Sequence, residues 1–373
     1  MQYISLSDAA LRWGVTQRRI RACCERNMIN RAEKQNGFWL IPDEARPAPR
    51  TAAAPRTFSK NLLLSFDKNI KPFHADEIPN TVASCEKRML INSELAYFRG
   101  EHSCAISIYS DIPKESKNRL SALYIGAVSA MCCGEFGIYY AAQKELLELW
   151  SRCKGRPSYQ RMIEFVYASI SNDITEYEVL PEWFCSGELF VLPMESRIFA
   201  LCHYLRSLHF QQRYDDMLTV AGIALSHAGR HGGYTIADIY LMLFCALAHS
   251  RRLEDDAAKK YISTALRLAA SDSFLQPIAE FYSVMPTLIE ECAEKDFASC
   301  LIHVKELRSR SYANWKSMSG GENDDGLSRR ERRVAAYAEQ GLSVMQIAYR
   351  MKMARDAVES DLLQIRAKLM QKC

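Results

Sequence analysis

LSRRERRVAAYAEQGLSVMQIAYRMKMARDAVESDLLQIRAKLMQKC, residues 327–373, is the stretch that decides how this chain is read. Apolar residues recur in it at helical spacing: Val334, Tyr337 and Ala338, then Ile347 and Met351, then Val358, Leu362, Ile365 and Leu369. Such a period buries one face of each helix. Gly341 stands where one helix must stop, because glycine tolerates the left-handed conformation that closes a helix. Ser343 stands where the next helix can be capped by a side-chain oxygen. Three or four short helices around a tight break describe a helix-turn-helix unit.

Twelve residues of this stretch, Leu327, Arg330, Glu331, Val334, Gly341, Ser343, Ile347, Ala348, Val358, Ile365, Lys368 and Leu369, resemble without a gap the DNA-binding domain of LuxR-type transcription regulators. The resemblance implies a four-helix module over 327–373 whose DNA donors are Arg350, Lys352, Arg355, Ser360 and Gln364. It also departs from the family. A Ser or Thr cap, then Thr-Val-Lys and often a His, is usual around the recognition helix. Here Ala354, then Ala357, Val358 and Glu359, then Asp361, occupy that region. Carboxylates facing a phosphate backbone repel it, so this module is expected to read DNA weakly; the alternative is that Glu359 accepts a bond from a cytosine amino group. The apolar side chains Leu362, Leu363, Ile365 and Leu369 suggest a homodimer surface or, equally, complete the module's own core.

Residues 3–46 predict a second helix-turn-helix. Ser7 is a candidate cap for a helix carrying Ala9, Ala10, Leu11 and Trp13, and Thr16 for a helix with Ile20 and Cys24 on its inner face. Two extended runs follow, joined by Asn36-Gly37, the preferred pair for a tight hairpin turn. Trp13 and Trp39 lie within apolar stretches and are expected in the core. Two helices and a hairpin resemble the winged helix-turn-helix of the MerR/excisionase type. That resemblance places Thr16, Gln17, Arg18, Arg19 and Arg21 toward the major groove, and Arg31, Lys34 and Gln35 on a wing against phosphate. Guanidinium groups suit both tasks, since they grip guanine edges bidentately or pair with phosphate.

Charge follows the same division. Residues 1–60 carry 11 Lys+Arg against 5 Asp+Glu, and residues 327–373 carry 10 against 5, while the remainder holds 27 against 34. Two basic ends on an acidic middle suit a protein that meets nucleic acid at its ends. No segment reaches the ~18 consecutive apolar residues of a membrane span, and the start lacks the order of a signal peptide. The expectation is a cytoplasmic protein without a membrane partner. The 13 cysteines are scattered and odd in number, and read as reduced thiols with no metal site.

The middle predicts paired helices. Leu90–Gly100 precedes Cys104–Ser110, and Leu120–Cys133 precedes Gly137–Cys153. Ile198–Gln211 precedes Tyr214–Ser226, Ile236–His249 precedes Leu253–Ala270, and Ile278–Cys292 precedes Phe297–Leu307, with Pro286 expected to kink or restart its helix. The later breaks fall about 40 residues apart, the period of a TPR-like solenoid. The chain therefore reads as mostly α, with a winged helix at 1–46, a linker at 47–81, a TPR-like domain at 82–312, a linker at 313–326 and the C-terminal module at 327–373. Several stretches of the middle, with both ends, resemble bacterial regulators in which a TPR-like domain precedes a LuxR-type domain. No phosphate-binding loop, zinc-protease motif or nucleophile elbow occurs. The pairs His203/His209 and His227/His231 are poor metal candidates. Tyr204, Phe210, Tyr240, Phe244, Phe281 and Tyr282 are candidate pocket residues, though helical spacing suits ordinary packing as well. The expected function is transcription regulation on double-stranded DNA, as a homodimer and without enzyme activity or cofactor. A small-molecule or protein effector is expected at the central domain. The rival reading is an interaction scaffold whose end modules no longer bind DNA.

Overall fold

The computed structural model describes residues 3–13, 17–25, 29, 31–35, 37–45, 57–153, 155–171, 180–227, 232–294, 296–318, 327, 329–339, 341–351 and 353–370. The chain divides into two compact units, Met1–Ala53 and Ala54–Cys373.

In the first unit, α1 (Leu6–Trp13) and α2 (Gln17–Glu25) pack on a three-stranded antiparallel sheet. The strands are β1 (Tyr3–Ile4), β2 (Glu33–Gln35) and β3 (Phe38–Pro42), in the order β1-β3-β2. Gln35 pairs with Phe38 across the two-residue turn, and Gly37 takes φ 87°, which only glycine adopts cheaply. The core is small: Ala9, Ile20, Cys24, Ile29 and Ile41 are buried, with Trp13 and Trp39 packed against them. The expected cap of α1 is corrected. Ser5, not Ser7, caps the helix, its Oγ accepting from the Asp8 amide at 3.2 Å while Asp8 accepts from the Ser5 amide at 3.3 Å. Thr16 lies outside the described residues.

In the second unit the helices come in pairs. Helix α3 (Cys85–Arg99) precedes α4 (His102–Asp111), and α5 (Arg119–Cys133) precedes α6 (Phe136–Arg152). Helix α7 (Pro157–Ile170), which belongs to none of the expected pairs, is followed by the short α8 (Glu182–Cys185). Then α9 (Arg197–Phe210) pairs with α10 (Tyr214–His227), and α11 (Ile236–Arg251) with α12 (Asp255–Ser271). The last expected pair is built differently. Pro286 restarts the chain, giving α13 (Gln276–Tyr282) and α14 (Pro286–Ala293) before the long α15 (Ala298–Met318). Where the pairs break, the residues explain it. Gly100 and Gly134 take positive φ and end α3 and α5, and the Thr235–Asp238 capping box opens α11.

Residues 57–81 are not a linker. Phe58, Leu62, Leu63, Leu64, Phe66, Ile70 and Ile78 are buried in the same core as the helix pairs. Two carboxylates hold this segment. Glu94 of α3 accepts from the Leu64 amide at 2.9 Å and from the Ser65 amide and hydroxyl, both at 2.7 Å. Asp272 accepts from the amides of Phe73 at 3.0 Å and Ala75 at 2.9 Å, and from the Tyr234 hydroxyl at 2.6 Å. The expected second linker also begins late, since α15 runs to Met318 and buries Trp315.

An open solenoid joins each repeat only to its neighbours. This array closes on itself. Helix α13 packs on α3, and α15 on α5. Polar bonds fasten the closure: Tyr97 donates to Glu280 at 2.9 Å, the His102 ring meets Gln276 at 3.1 Å, and Asn314 donates to the Cys132 carbonyl at 2.8 Å. Gly100 is needed here twice over, because a side chain at this position would press on Leu307 of α15.

The C-terminal module holds α16 (Arg329–Glu339), α17 (Val344–Met351) and α18 (Arg355–Met370). These are three helices among the described residues, where four were expected. No Gly or Pro interrupts residues 355–370, so that run forms a single helix. Val334, Ile347, Met351, Met353, Ala357, Val358 and Ile365 make its core.

Candidate nucleic-acid interface

Helix α2 divides cleanly by face. Ile20 and Cys24, four residues apart, point into the core, while Gln17, Arg18, Arg21 and Glu25 are exposed. Arg18, Arg21 and Glu25 share one side of the helix by their spacing. Gln17 also ties the two helices, donating to the Ser7 hydroxyl at 3.1 Å. Only the backbone of Arg19 is described. On the hairpin, Lys34 and Gln35 of β2 are exposed, and Arg31 stands before it with φ 60°. Phe38, beside the turn, is 76% exposed; its place in an apolar run had marked it only as strand.

The C-terminal module is organised by charge as well as by apolar packing. Ser343 and Gln346 form a reciprocal cap, with Gln346 accepting from the Ser343 amide at 2.8 Å. Gly341 takes φ 78° and ends α16 as expected. Arg330 donates to Asp361 at 2.6 Å, and Lys368 donates to both oxygens of Glu331 at 2.7 Å. Asp361 and Glu331 are 1% and 2% exposed. These bonds clamp α16 to α18, so Arg330, Glu331 and Lys368 serve the fold.

Asp361 is thus a correction. The sequence pattern put its carboxylate against DNA, but it is buried beneath Arg330. Burial pushes its pKa up, while Arg330 pulls it down. Glu359 does lie nearer the surface, and accepts from Arg355 at 2.8 Å one helical turn earlier. That bond ties up one of the expected donors. Ser360 is half-buried. Gln364 lines a cleft with Arg330 of its own module and with His209, Tyr214 and Arg251 of the array. For Arg350 only the backbone is described, and Lys352 lies outside the described residues. The expected dimer stripe is also divided. Ile365 is in the core and Leu362 packs against it, whereas Leu363 is 66% exposed, with Tyr349 and Met345 exposed on α17.

The suggested pocket aromatics scatter. Tyr240 borders a partly open cavity. Phe244 and Phe281 pack on each other at 4.8 Å, Phe210 borders the cleft with Gln364, Tyr204 lies over Gly187, and Tyr282 bonds Glu290. On α9, His203 is buried and His209 half-buried, and His231 lies outside the described residues. No helix among the described residues is long and apolar enough to cross a membrane.

No curated protein and no solved structure matches this chain. Residues 325–372 match the family of bacterial regulatory proteins, luxR family. The C-terminal module is therefore a LuxR-family helix-turn-helix domain, of the kind that binds DNA.

Proposed function

We propose that this protein is a cytoplasmic, non-enzymatic transcription regulator. Its N-terminal unit is a MerR-like winged helix that reads double-stranded DNA, and its C-terminal LuxR-type domain adds a second, weaker contact. The helical array, TPR-like in its pairing, receives an effector. The luxR-family match of residues 325–372 carries the proposal. The exposed Arg18 and Arg21 on a helix packed against a hairpin support the N-terminal reader, because an exposed guanidinium on such a helix can reach base edges. The Arg355–Glu359 bond supports the weaker role of the C-terminal domain. Binding as a homodimer follows from the usual pairing of LuxR-type domains, and the exposed Leu363, Tyr349 and Met345 are its candidate surface.

The deciding experiment is binding of the full chain to genomic DNA fragments over a range of salt. A protein with 6–10 phosphate contacts loses affinity by about 10³–10⁵ between 50 and 200 mM salt. Binding that is absent, or flat with salt, would overturn the proposal and favour the scaffold reading.

A further inference from the structure

Closing the array has a chemical consequence. The inner helices α3, α5, α7, α9, α11, α13 and α15 surround a partly open cavity of about 90 Å³, several times the ~10–15 Å³ that one water needs. Its walls are aromatic: Phe66, Tyr97, Phe98, Phe199, Tyr240 and Trp315 all border it. Rings in such walls accept another ring edge-on or offset, which favours a planar guest over a branched aliphatic one.

Charge in the wall is already engaged. Glu280 accepts from Tyr97 at 2.9 Å and Tyr240 at 3.0 Å through one oxygen, and from Arg206 at 3.1 Å through the other. Arg308, which also borders the cavity, has interactions of its own within the protein. A cationic guest would therefore enter without a waiting counter-ion, and an anionic one would have to draw Arg206 from Glu280 or Arg308 from the Tyr312 ring, 5.4 Å away; burying an unpaired charge is costly.

Two neutral polar groups differ from the rest. The Tyr124 hydroxyl and the His203 imidazole both border the cavity, in side chains only 6% and 7% exposed. Neither has a hydrogen-bond partner among the described residues. The His203 ring is fixed edge-on by Phe199 at 4.8 Å, Phe165 at 5.5 Å and Tyr124 at 6.5 Å between centroids. Polar groups this deep that the protein leaves unpaired are satisfied by water or by a guest in the cavity they border. These two, one on α5 and one on α9, are held rigidly and left for something that enters.

We propose that this cavity binds a small, uncharged, single-ring phenol, its ring between the aromatic walls and its hydroxyl bonded to Tyr124 and His203. The hydroxyl can donate to one group and accept from the other. The proposal deepens the reading of the array as the receiver of an effector and rests on it for its biological meaning, but the site itself can be tested without DNA.

The test is titration calorimetry of the full chain with phenol, benzoate, benzylamine and cyclohexanol as probes, on the wild type and on Tyr124→Phe and His203→Phe. Both substitutions keep a ring in place, and circular dichroism checks that each variant is folded. Phenol should bind saturably at one site per chain, with Kd below about 1 mM, an affinity well within reach of a ligand of this size. Each substitution should weaken it about 5–10-fold, as removal of one hydrogen bond does, and the two charged probes should bind at least ~10-fold more weakly. Cyclohexanol, which lacks a planar ring, should also bind more weakly than phenol. Absence of saturable phenol binding, equal binding of benzoate, or unchanged affinity in both variants would overturn the site. DNA binding measured in parallel separates the two claims. Phenol binding in a chain that never binds DNA would sink the regulator and leave the site standing. DNA binding without phenol binding would do the reverse.

Discussion

Asp272→Ala tests whether residues 57–81 belong to the array. Asp272 follows the last turn of α12 and accepts from the Phe73 and Ala75 amides and from the Tyr234 hydroxyl. Ala75 and Tyr234 are each 1% exposed, so neither donor can turn to water when the carboxylate is removed. A buried donor left without an acceptor costs about 1–3 kcal/mol. The Phe73 amide belongs to an exposed residue and can be rehydrated. The Tyr234 hydroxyl keeps the Ser271 hydroxyl at 3.3 Å as a partner, so the Ala75 amide is the one stranded donor and the expected destabilisation is about 1–3 kcal/mol. Asp272→Asn keeps one acceptor oxygen, and the Tyr234 hydroxyl can rotate to accept from the new amide, so about half that destabilisation is expected. Urea denaturation followed by far-ultraviolet circular dichroism gives the stability change. Limited proteolysis of the folded variant should show new cleavage within 67–74. A change under about 1 kcal/mol for the alanine variant, with no new cleavage, would refute the view that this segment is part of the core.

Four further outcomes are expected. Arg18→Ala with Arg21→Ala should cost about 1–3 kcal/mol of DNA affinity for every base edge that is no longer gripped, and unchanged affinity in the folded double variant sinks the N-terminal reader. Glu359→Lys should strengthen DNA binding by the full chain, since it removes a surface carboxylate and releases Arg355, whereas Asp361→His should unfold the C-terminal domain without any such gain; the opposite pattern in binding and melting experiments would show Asp361 to be the DNA-facing acid. Burial pushes the Glu94 carboxyl up to about 7, so the folded state holds this proton more tightly than the unfolded one. Its stabilising contribution is then full below about pH 4.5 and declines as pH rises through 7, by up to roughly 3 kcal/mol; a Glu94→Gln variant whose stability falls just as steeply between about pH 5 and 7.5 contradicts this. Gly100→Ala should destabilise the array by about 1–3 kcal/mol, because φ is 85° and the new methyl meets Leu307 of the closing helix; a melting temperature equal to that of the wild type argues against the closed arrangement.

Helical periodicity exposed most of the helix pairs because each inner face repeats its apolar residues along the helix. Pairing left out α7 (Pro157–Ile170), because among the described residues no second long helix follows it as a partner; α8 spans only Glu182–Cys185. Periodicity fails for residues 57–81, which enter the core as irregular chain followed by a 3-10 helix over Ala75–Thr81, too short to show a period. At the candidate interface, the exposed Arg18 and Arg21 were legible, since Ile20 and Cys24 fix which face of α2 turns inward. Asp361 was misread for a related reason. Its position in the helix was clear, but its burial depends on Arg330, 31 residues away.

Taken alone, the sequence determined the class of each part: two basic helical modules at the ends, one with a hairpin, and paired helices between. Local propensity, capping and apolar period act within a few residues, and these are what a linear chain displays. The tertiary structure alone decided that the array closes, that residues 57–81 lie within it, and that Tyr124 and His203 face one cavity. Those outcomes depend on bonds between residues far apart in the chain, such as Tyr97 with Glu280 and Ala75 with Asp272. Only folding brings such residues within the ~3 Å at which a carboxylate and its donor meet.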